Sequence, residues 1–596
     1  MSKQSTPTNC QNCRIQFVIE PDDFNFYEKI KVPPPTFCPE CRLQRRMAFR
    51  NERTLYKRKC DLCGKDIMAM YPADAPFPIY CRDCWYGDGW DPMEWGQDYD
   101  FSKPFFVQLR ELQIKVPRLH LFQRNSPNSQ FSNIIGESKN VYLGYSIVES
   151  EYVYYSKSVD RSAEVFDSLF SKNLKQCYEN IYGDNNYNSH YLVHSRNCLD
   201  SRFLFDCVNC KHCVLSANLR NQEYVIRNKK YSKEEYQREL EQLNFGNAAN
   251  VENLKKEFTE LMRRSIHKYA NILKSVSSTG NNILNAKNAQ YCFDVYNVED
   301  LRYCHRVIDL KNSMDTNYTG LGSELIYEYN IGGKADYNVH FSVAALDGLR
   351  DSEYTDYCFS SSDLFGCIAL RNKANCILNR QYPESEYNDL RDRILRQMDE
   401  VPYTDKAGRM YRYGEFFPIE LSPHAYNETV AQEYWKLSKD EVLRNGYAWR
   451  DPETRSYQIT MHPDNLPGHI KEVNDDILNL VVGCVHKGEC NEQCTIAFKI
   501  IPDELQFYRK IGIPLPRFCP NCRHYARLRE IEPMKLWHRA CMCAGKTSDQ
   551  QQAYQYANTA PHFHGENHCP NEFETSYAPE RPEIIYCEPC YNAEVV

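Results

Sequence analysis

The sequence predicts a mainly β fold, with a β-solenoid-like repeat in the middle of the chain flanked by duplicated small zinc-ribbon modules. Three observations carry that expectation. Apolar residues recur every six positions through two long blocks, cysteines near both ends fall in short pairs, and the sequence around those pairs returns at constant offset. At 596 residues the chain exceeds one hydrophobic core. The pattern divides it into an N-terminal double zinc-ribbon module at 1–100, a linker at 101–137, a first solenoid block at 138–230 and a helical cap at 231–277. A second block at 278–381, a capping helix at 382–400, a connector at 401–470 and a C-terminal double zinc-binding module at 471–596 complete it.

In the N-terminal module Cys10/Cys13, Cys38/Cys41, Cys60/Cys63 and Cys81/Cys84 each enclose two residues, the spacing that lets a tight turn aim two thiolates at one tetrahedral ion. Four pairs make two sites. Sequential pairing and a nested arrangement of the middle pairs both satisfy the spacing. The module supplies eight cysteines and no histidine, which favours closed structural sites over catalytic ones. Near the C-terminus Phe507-Tyr508, Lys510-Ile511, Pro514, Pro516 and Phe518-Cys519-Pro520 repeat Phe26-Tyr27, Lys29-Ile30, Pro33, Pro35 and Phe37-Cys38-Pro39. The expected ligands there are Cys490, Cys494, Cys519, Cys522, Cys541, Cys543, Cys587 and Cys590, with His562, His564, His568 and Cys569 lying within an insertion before the last pair. Four Zn2+ ions are expected, two per module.

Through the middle, Val141, Ile147, Val153, Val159, Val165, Ser171 and Cys177 stand six apart, with Ser150, Ser156, Ser162 and Ser168 midway. The rhythm returns in Ala289, Val295, Leu301, Val307, Ser313, Thr319, Leu325, Ile331, Tyr337, Val343 and Leu349. Helices would repeat at 3.6, so a strand-based coil is the economical architecture. The cysteines of this region, Cys207, Cys210 and Cys213 among them, share the phase of the small buried residues and are expected in the core. Both blocks end on Leu-Arg-Asn, at 219–221 and 370–372, and each is followed by a helical pattern; Ser232 with Glu235 forms a capping box.

Composition bounds function. A net charge of −8 gives no global attraction to polyanions, so any nucleic-acid surface must be local. The strongest candidate is Arg42, Arg45, Arg46, Arg50, Arg53, Lys57, Arg58 and Lys59, opposed only by Glu52; on a helix Arg42, Arg46, Arg50, Arg53 and Lys57 would share one cationic face suited to phosphate. RNA, ribosome or DNA is the partner on that reading. The leading reading is a non-catalytic scaffold or adaptor that binds a protein partner or a second copy of itself. No phosphate-cradling glycine loop, nucleophile motif or His-Glu metalloprotease helix points to an enzyme. Met1 to Thr8 lacks an apolar leader and no apolar run reaches the length of a membrane span, so a cytoplasmic, reducing setting without a membrane partner is expected, and with it metal-bound rather than disulfide-bonded cysteines.

Phe37-Cys38-Pro39-Glu40-Cys41-Arg42, followed by Arg45-Arg46, Asn51-Glu52-Arg53 and Tyr56-Lys57-Arg58-Lys59-Cys60, resembles an uncharacterised family of zinc-ribbon-containing proteins of the candidate phyla radiation, the Patescibacteria. The resemblance covers nearly the whole chain and implies zinc ribbons, with no activity to carry over. Some members bear a CaiB/BaiF-type CoA-transferase label, which would imply a knotted α/β fold with an aspartate nucleophile. The cysteine pairs and six-residue repeats have no place in such a fold.

Overall fold

A computed structural model describes residues 6–451, 457–543, 558–565 and 567–596. The start of the chain read above for a leader lies partly outside them. The fold is strand-rich with several helices. Its middle consists of two stacks of short parallel strands. In the first, Tyr145–Val148, Lys157–Asp160 and Leu169–Lys172 lie in one sheet, and Glu151–Tyr154, Ala163–Phe166 and Lys175–Tyr178 in another. Ile147 pairs with Val159, and Val153 with Val165, so the chain returns above itself every 12 residues. Two of the six-residue units therefore make one turn.

The backbone shows how so short a turn closes. Every third residue, for example Asn173, Gln176, Glu179, Tyr182, Asn185 and Asn188, has a positive φ near +50°. Four such corners complete one turn. Left-handed backbone costs an L-residue roughly 1–2 kcal/mol, less for Asn and Asp, so each corner needs an offsetting interaction. The midway serines supply one. Ser150 N donates to Ser138 Oγ, Ser162 N to Ser150 Oγ and Ser168 N to Ser156 Oγ, each at 3.0 Å, so a buried hydroxyl accepts the amide one turn later. Cysteine occupies the same places: Cys177 Sγ donates to Lys175 O at 3.4 Å as Ser171 Oγ does to Leu169 O at 3.0 Å. That equivalence accounts for Cys177, Cys198, Cys207, Cys210 and Cys213 in the buried core. At one outer corner Asn185, Asn197, Asn209 and Asn221 form a ladder, each Nδ2 donating to the next Oδ1 at 2.9 Å.

The second stack departs from the strict rhythm. Gly280 to Leu301 keeps a 12-residue register, but Ile326 pairs with Val339, and Val339 with Ser352, 13 residues on. The left-handed corners there step by four between Leu321 and Leu325 and between Ile331 and Ala335. Leu325 and Ile331 are consequently only half-buried and Tyr337 is exposed, whereas Ile326, Tyr329 and Val339 fill the core. The expected inward phase thus slips by one residue at each of these steps, and a third, from Ala344 to Gly348, restores it at Leu349, Cys358, Cys367 and Cys376, which are buried as expected. Glycine permits the slip: a Cβ on Gly333 would stand 1.2 Å from Leu346 O.

Each stack ends in an antiparallel hairpin, Ile226 on Lys229 and Ile377 on Arg380, followed by the helices Lys233–Leu243 and Glu384–Glu400; Ser232 and Glu235 form the expected capping box. The segment read as a linker is part of the structure. The helix Phe105–Gln113 buries Phe105, Phe106, Leu109 and Leu112, and the first stack begins at Gln123, which pairs with Ile135. The 401–470 connector likewise buries Tyr411, Phe416, Phe417 and Tyr426. Among the described residues no helix is long and apolar enough to cross a membrane.

Burial holds several histidines neutral. It lowers His120 and His305 to about 4 and His424 to about 3, with nearby arginines adding to the effect, and with Arg202 it holds His190 well below its ordinary value. The unfolded chain protonates these groups near their ordinary value of ~6.5, so it takes up more protons than the fold as pH drops. Asp336, raised by burial to about 6, His194, which Glu532 raises against burial, and His538, raised by Glu574 and Glu572, work in the opposite direction, but they are outnumbered. The urea midpoint should therefore be highest above pH 6.5 and fall steadily between pH 6.5 and 4; a midpoint constant across that window would contradict the burial of these imidazoles.

Candidate metal centres

Four clusters of thiols gather at the two ends. The first holds Cys10, Cys13, Cys38 and Cys41, and the second Cys60, Cys63, Cys81 and Cys84, with all four sulfurs of each within 4.8 Å of one another. The sequential pairing is the one adopted. In each, a short hairpin brings the first pair: Thr6–Asn9 pairs with Gln16–Ile19, and Tyr56–Lys59 with Asp66–Ala69. A helix brings the second. Cys38 and Cys81 are the N-cap residues of Pro39–Met47 and Arg82–Tyr86, so their sulfurs sit where unpaired backbone N–H groups and the helix dipole favour a thiolate. Cys519 and Cys587 cap Pro520–Leu528 and Glu588–Val595 in the same way. Burial alone would raise the Cys60 thiol, but N–H donors from Cys63, Cys81 and Leu62 bring it down to about 7.

The spacing tests whether zinc fits. A tetrahedral ion with Zn–S bonds of ~2.3 Å requires sulfurs about 3.8 Å apart, whereas a disulfide needs ~2.05 Å. Cys13 and Cys38 are 3.7 Å apart, Cys63 and Cys81 3.8 Å, Cys484 and Cys522 3.8 Å, and Cys569 and Cys587 3.8 Å. The separations match tetrahedral edges. Four clusters of this geometry are compatible with metal binding and consistent with zinc.

The third cluster corrects the expected ligand set. Its four converging sulfurs belong to Cys484, Cys494, Cys519 and Cys522, and Cys484 holds the place expected for Cys490. Cys484 N donates to Ile496 O at 2.7 Å as Cys10 N does to Ile15 O at 3.0 Å, and Gly483 pairs with Ala497 as Asn9 pairs with Gln16. Cys519 N donates to Cys484 Sγ at 3.3 Å, as Cys81 N does to Cys60 Sγ at 3.2 Å. Cys484 is therefore the counterpart of Cys10, separated from Cys494 by a longer loop. That loop carries Cys490, whose sulfur is 3.7 Å from Cys522 Sγ, and His486, whose Nδ1 is 3.2 Å from it. The constant offset of the sequence repeat places Cys494 opposite Cys13 but Asn491 opposite Cys10, so the sequence carries no local signal for Cys484; the backbone hairpin reveals it.

The fourth cluster gathers all of the expected Cys541, Cys543, Cys587 and Cys590, with Cys569, His562 and His564 beside them. Cys587 N donates to Cys541 Sγ at 3.3 Å, which repeats the arrangement of Cys81 and Cys60.

The basic stretch does not form a surface. Arg42, Arg45, Arg46 and Arg50 are at most 2% exposed. Arg42 Nε donates to Asp315 Oδ2 at 2.9 Å and Arg46 to Asp315 Oδ1 at 3.0 Å, while Arg45 bridges Glu328 at 2.7 Å and Glu415 at 2.8 Å. Arg50 bonds Glu52, which Lys157 also meets, and Arg53 reaches Asn521 in the other module. Burial would weaken the Arg42 cation, but Asp315 more than reverses it and its pKa rises; for Glu52, Lys157 and Arg50 likewise overcome burial and hold the carboxylate well below its usual range. Arg58 is held by Asp61 and Pro72 O, and Lys59 pairs with Asp66 across exposed side chains. Lys57 and Lys59 are the exposed cations of the run. The expected helical face of Arg42, Arg46, Arg50, Arg53 and Lys57 is not formed: the helix ends at Met47, so it carries only Arg42, Arg45 and Arg46, which point inward, while Lys57, Arg58 and Lys59 lie on the strand Tyr56–Lys59.

The duplicated module repeats this contact. Arg523 and Arg527 donate to the two oxygens of Asp167 at 2.6 and 2.7 Å. Phe507 stacks on Phe166 with ring centroids 4.0 Å apart. The N-terminal module thus grips the second stack, and the C-terminal module the first.

No family model matches the sequence, and no curated protein matches it. Among solved structures, a putative acetyltransferase from Desulfovibrio desulfuricans G20 is similar at 11% identity, over 49% of this chain and 86% of that one, with a TM-score of 0.09. That likeness is too slight to carry an argument.

Two outcomes follow from the geometry. Cys484→Ser should lower the zinc content of the purified chain by one ion, whereas Cys490→Ser should leave it unchanged; the reverse result would restore Cys490 as the ligand. Asp315→Ala leaves two guanidiniums buried without their shared carboxylate and should destabilise the fold by about 3–5 kcal/mol in urea unfolding, far more than Lys57→Ala on the surface.

Proposed function

We propose that this chain is a non-catalytic, zinc-braced scaffold or adaptor, in which two β-solenoid blocks are held by the terminal zinc modules and offer their outer sides to a protein partner or to a second copy. One observation carries the reading. The first three clusters each present four thiols at tetrahedral spacing, and at the first and third the metal-binding helix also bears the arginines that lock onto a strand stack. A catalytic zinc keeps one position open for water or substrate, whereas four thiolates close the shell and lend their binding energy to folding. Zinc thiolate sites of this kind suit a reducing compartment such as the cytoplasm. Stacked repeats offer long, regular binding surfaces.

RNA, ribosome or DNA recognition loses its main support, because four of the eight basic residues proposed for it, Arg42, Arg45, Arg46 and Arg50, are buried on internal carboxylates. Capture of the tagged full-length protein at low salt, followed by washes to about 0.5 M salt, distinguishes the readings, since phosphate contacts weaken steeply with salt. A protein partner or self-association should persist through the wash and survive Lys57→Glu with Lys59→Glu. Release of co-purifying nucleic acid at that salt, with no protein retained, would overturn the scaffold reading. Treatment with a strong zinc chelator should lower the thermal midpoint and abolish the retained complex.

A further inference from the structure

One tetrahedral ion needs four ligands, and the fourth cluster offers seven. Cys541, Cys543, Cys569 and Cys590 form one set of mutually close ligand atoms, and Cys543, His562, His564 and Cys590 form another, each set within 4.8 Å. Cys587 lies beside the first set, 3.8 Å from Cys569. Among the described residues the corresponding N-terminal cluster gathers Cys60, Cys63, Cys81 and Cys84, so the two histidines and Cys569 are additions relative to it.

Both histidines are oriented as ligands. His564 Nδ1 is 2.7 Å from Asn567 O and so carries the proton, which leaves the lone pair on Nε2, 3.3 Å from Cys543 Sγ and 3.4 Å from Cys590 Sγ. The His562 side chain is fully buried, with Nε2 2.9 Å from Glu594 Oε1. Its Nδ1 is buried without a hydrogen-bond partner. A carboxylate or carbonyl on one ring nitrogen is the arrangement that fixes the tautomer of a metal-bound imidazole. A buried ring nitrogen with no partner is costly unless something accepts its lone pair, and a cation satisfies it.

We propose that this cluster binds two zinc ions, the second held by Cys543, His562, His564 and Cys590, with Cys543 and Cys590 lying between the two ions as shared thiolates. The proposal rests on the structural-zinc reading above and extends it from four ions per chain to five. Native mass spectrometry of the zinc-loaded full-length chain should count five ions in the wild type and four in the His562→Ala/His564→Ala variant. A count of four in the wild type would overturn the two-ion cluster while leaving the scaffold reading intact, and so would five ions retained in the double variant. A wild type with no zinc at all would instead remove the structural-zinc reading itself. The wild-type count decides the question even if the double variant does not fold.

Discussion

The architecture depends on one carboxylate shared by two arginines one helical turn apart. At Asp315 the pair is Arg42 and Arg46; at Asp167 it is Arg523 and Arg527. Neither carboxylate is accessible to solvent. Taking such charges out of water is expensive, and only a geometry that satisfies both oxygens at once makes it tolerable. Cys38 and Cys41, or Cys519 and Cys522, stand at the start of the same helix. The cysteine cluster and the ion pair are therefore arranged in series: the cluster sits at the start of the helix, and the helix sets where the guanidiniums arrive.

The two contacts are exchanged along the chain. The N-terminal module seats on the second stack and the C-terminal module on the first, with Arg53 reaching Asn521 between them. Sequence duplication of the modules is thus matched by duplication of what they grip. The two carboxylates head the similar segments Asp167-Ser168-Leu169-Phe170 and Asp315-Thr316-Asn317-Tyr318, although nothing local in the sequence indicates what they meet.

How much could be read in advance follows from the range of each interaction. The first stack was legible because its turns have constant length, so Val141, Ile147, Val153, Val159 and Val165 all face inward as the spacing implied. The second departs from the expected phase only between Thr319 and Leu349, where turns grow by one residue and the inward positions pass to Ile326 and Val339; Leu349, Cys358, Cys367 and Cys376 are again buried as the spacing implies. Paired thiols were found wherever two residues separated them, and Cys484 was not, because its partner Cys494 is reached through a longer loop. Of the arginine run only Arg42, Arg45 and Arg46 lie on a helix, and their partners lie far away, Asp315 being 273 residues from Arg42. A run of charge shows its own sign and spacing; whether it meets water or a distant carboxylate is set by tertiary packing.

Turns with three-residue sides leave little tolerance for changes in chain length. Adding or removing one residue moves every later side chain to a different orientation, bringing serines and cysteines from the interior to the outside, and the glycine-rich stretch around 320–333 is where the fold absorbs such a change. Related chains should accordingly differ by whole twelves in the regular stack, lengthening or shortening as a column does by entire courses, while single-residue variation gathers where side chains are smallest.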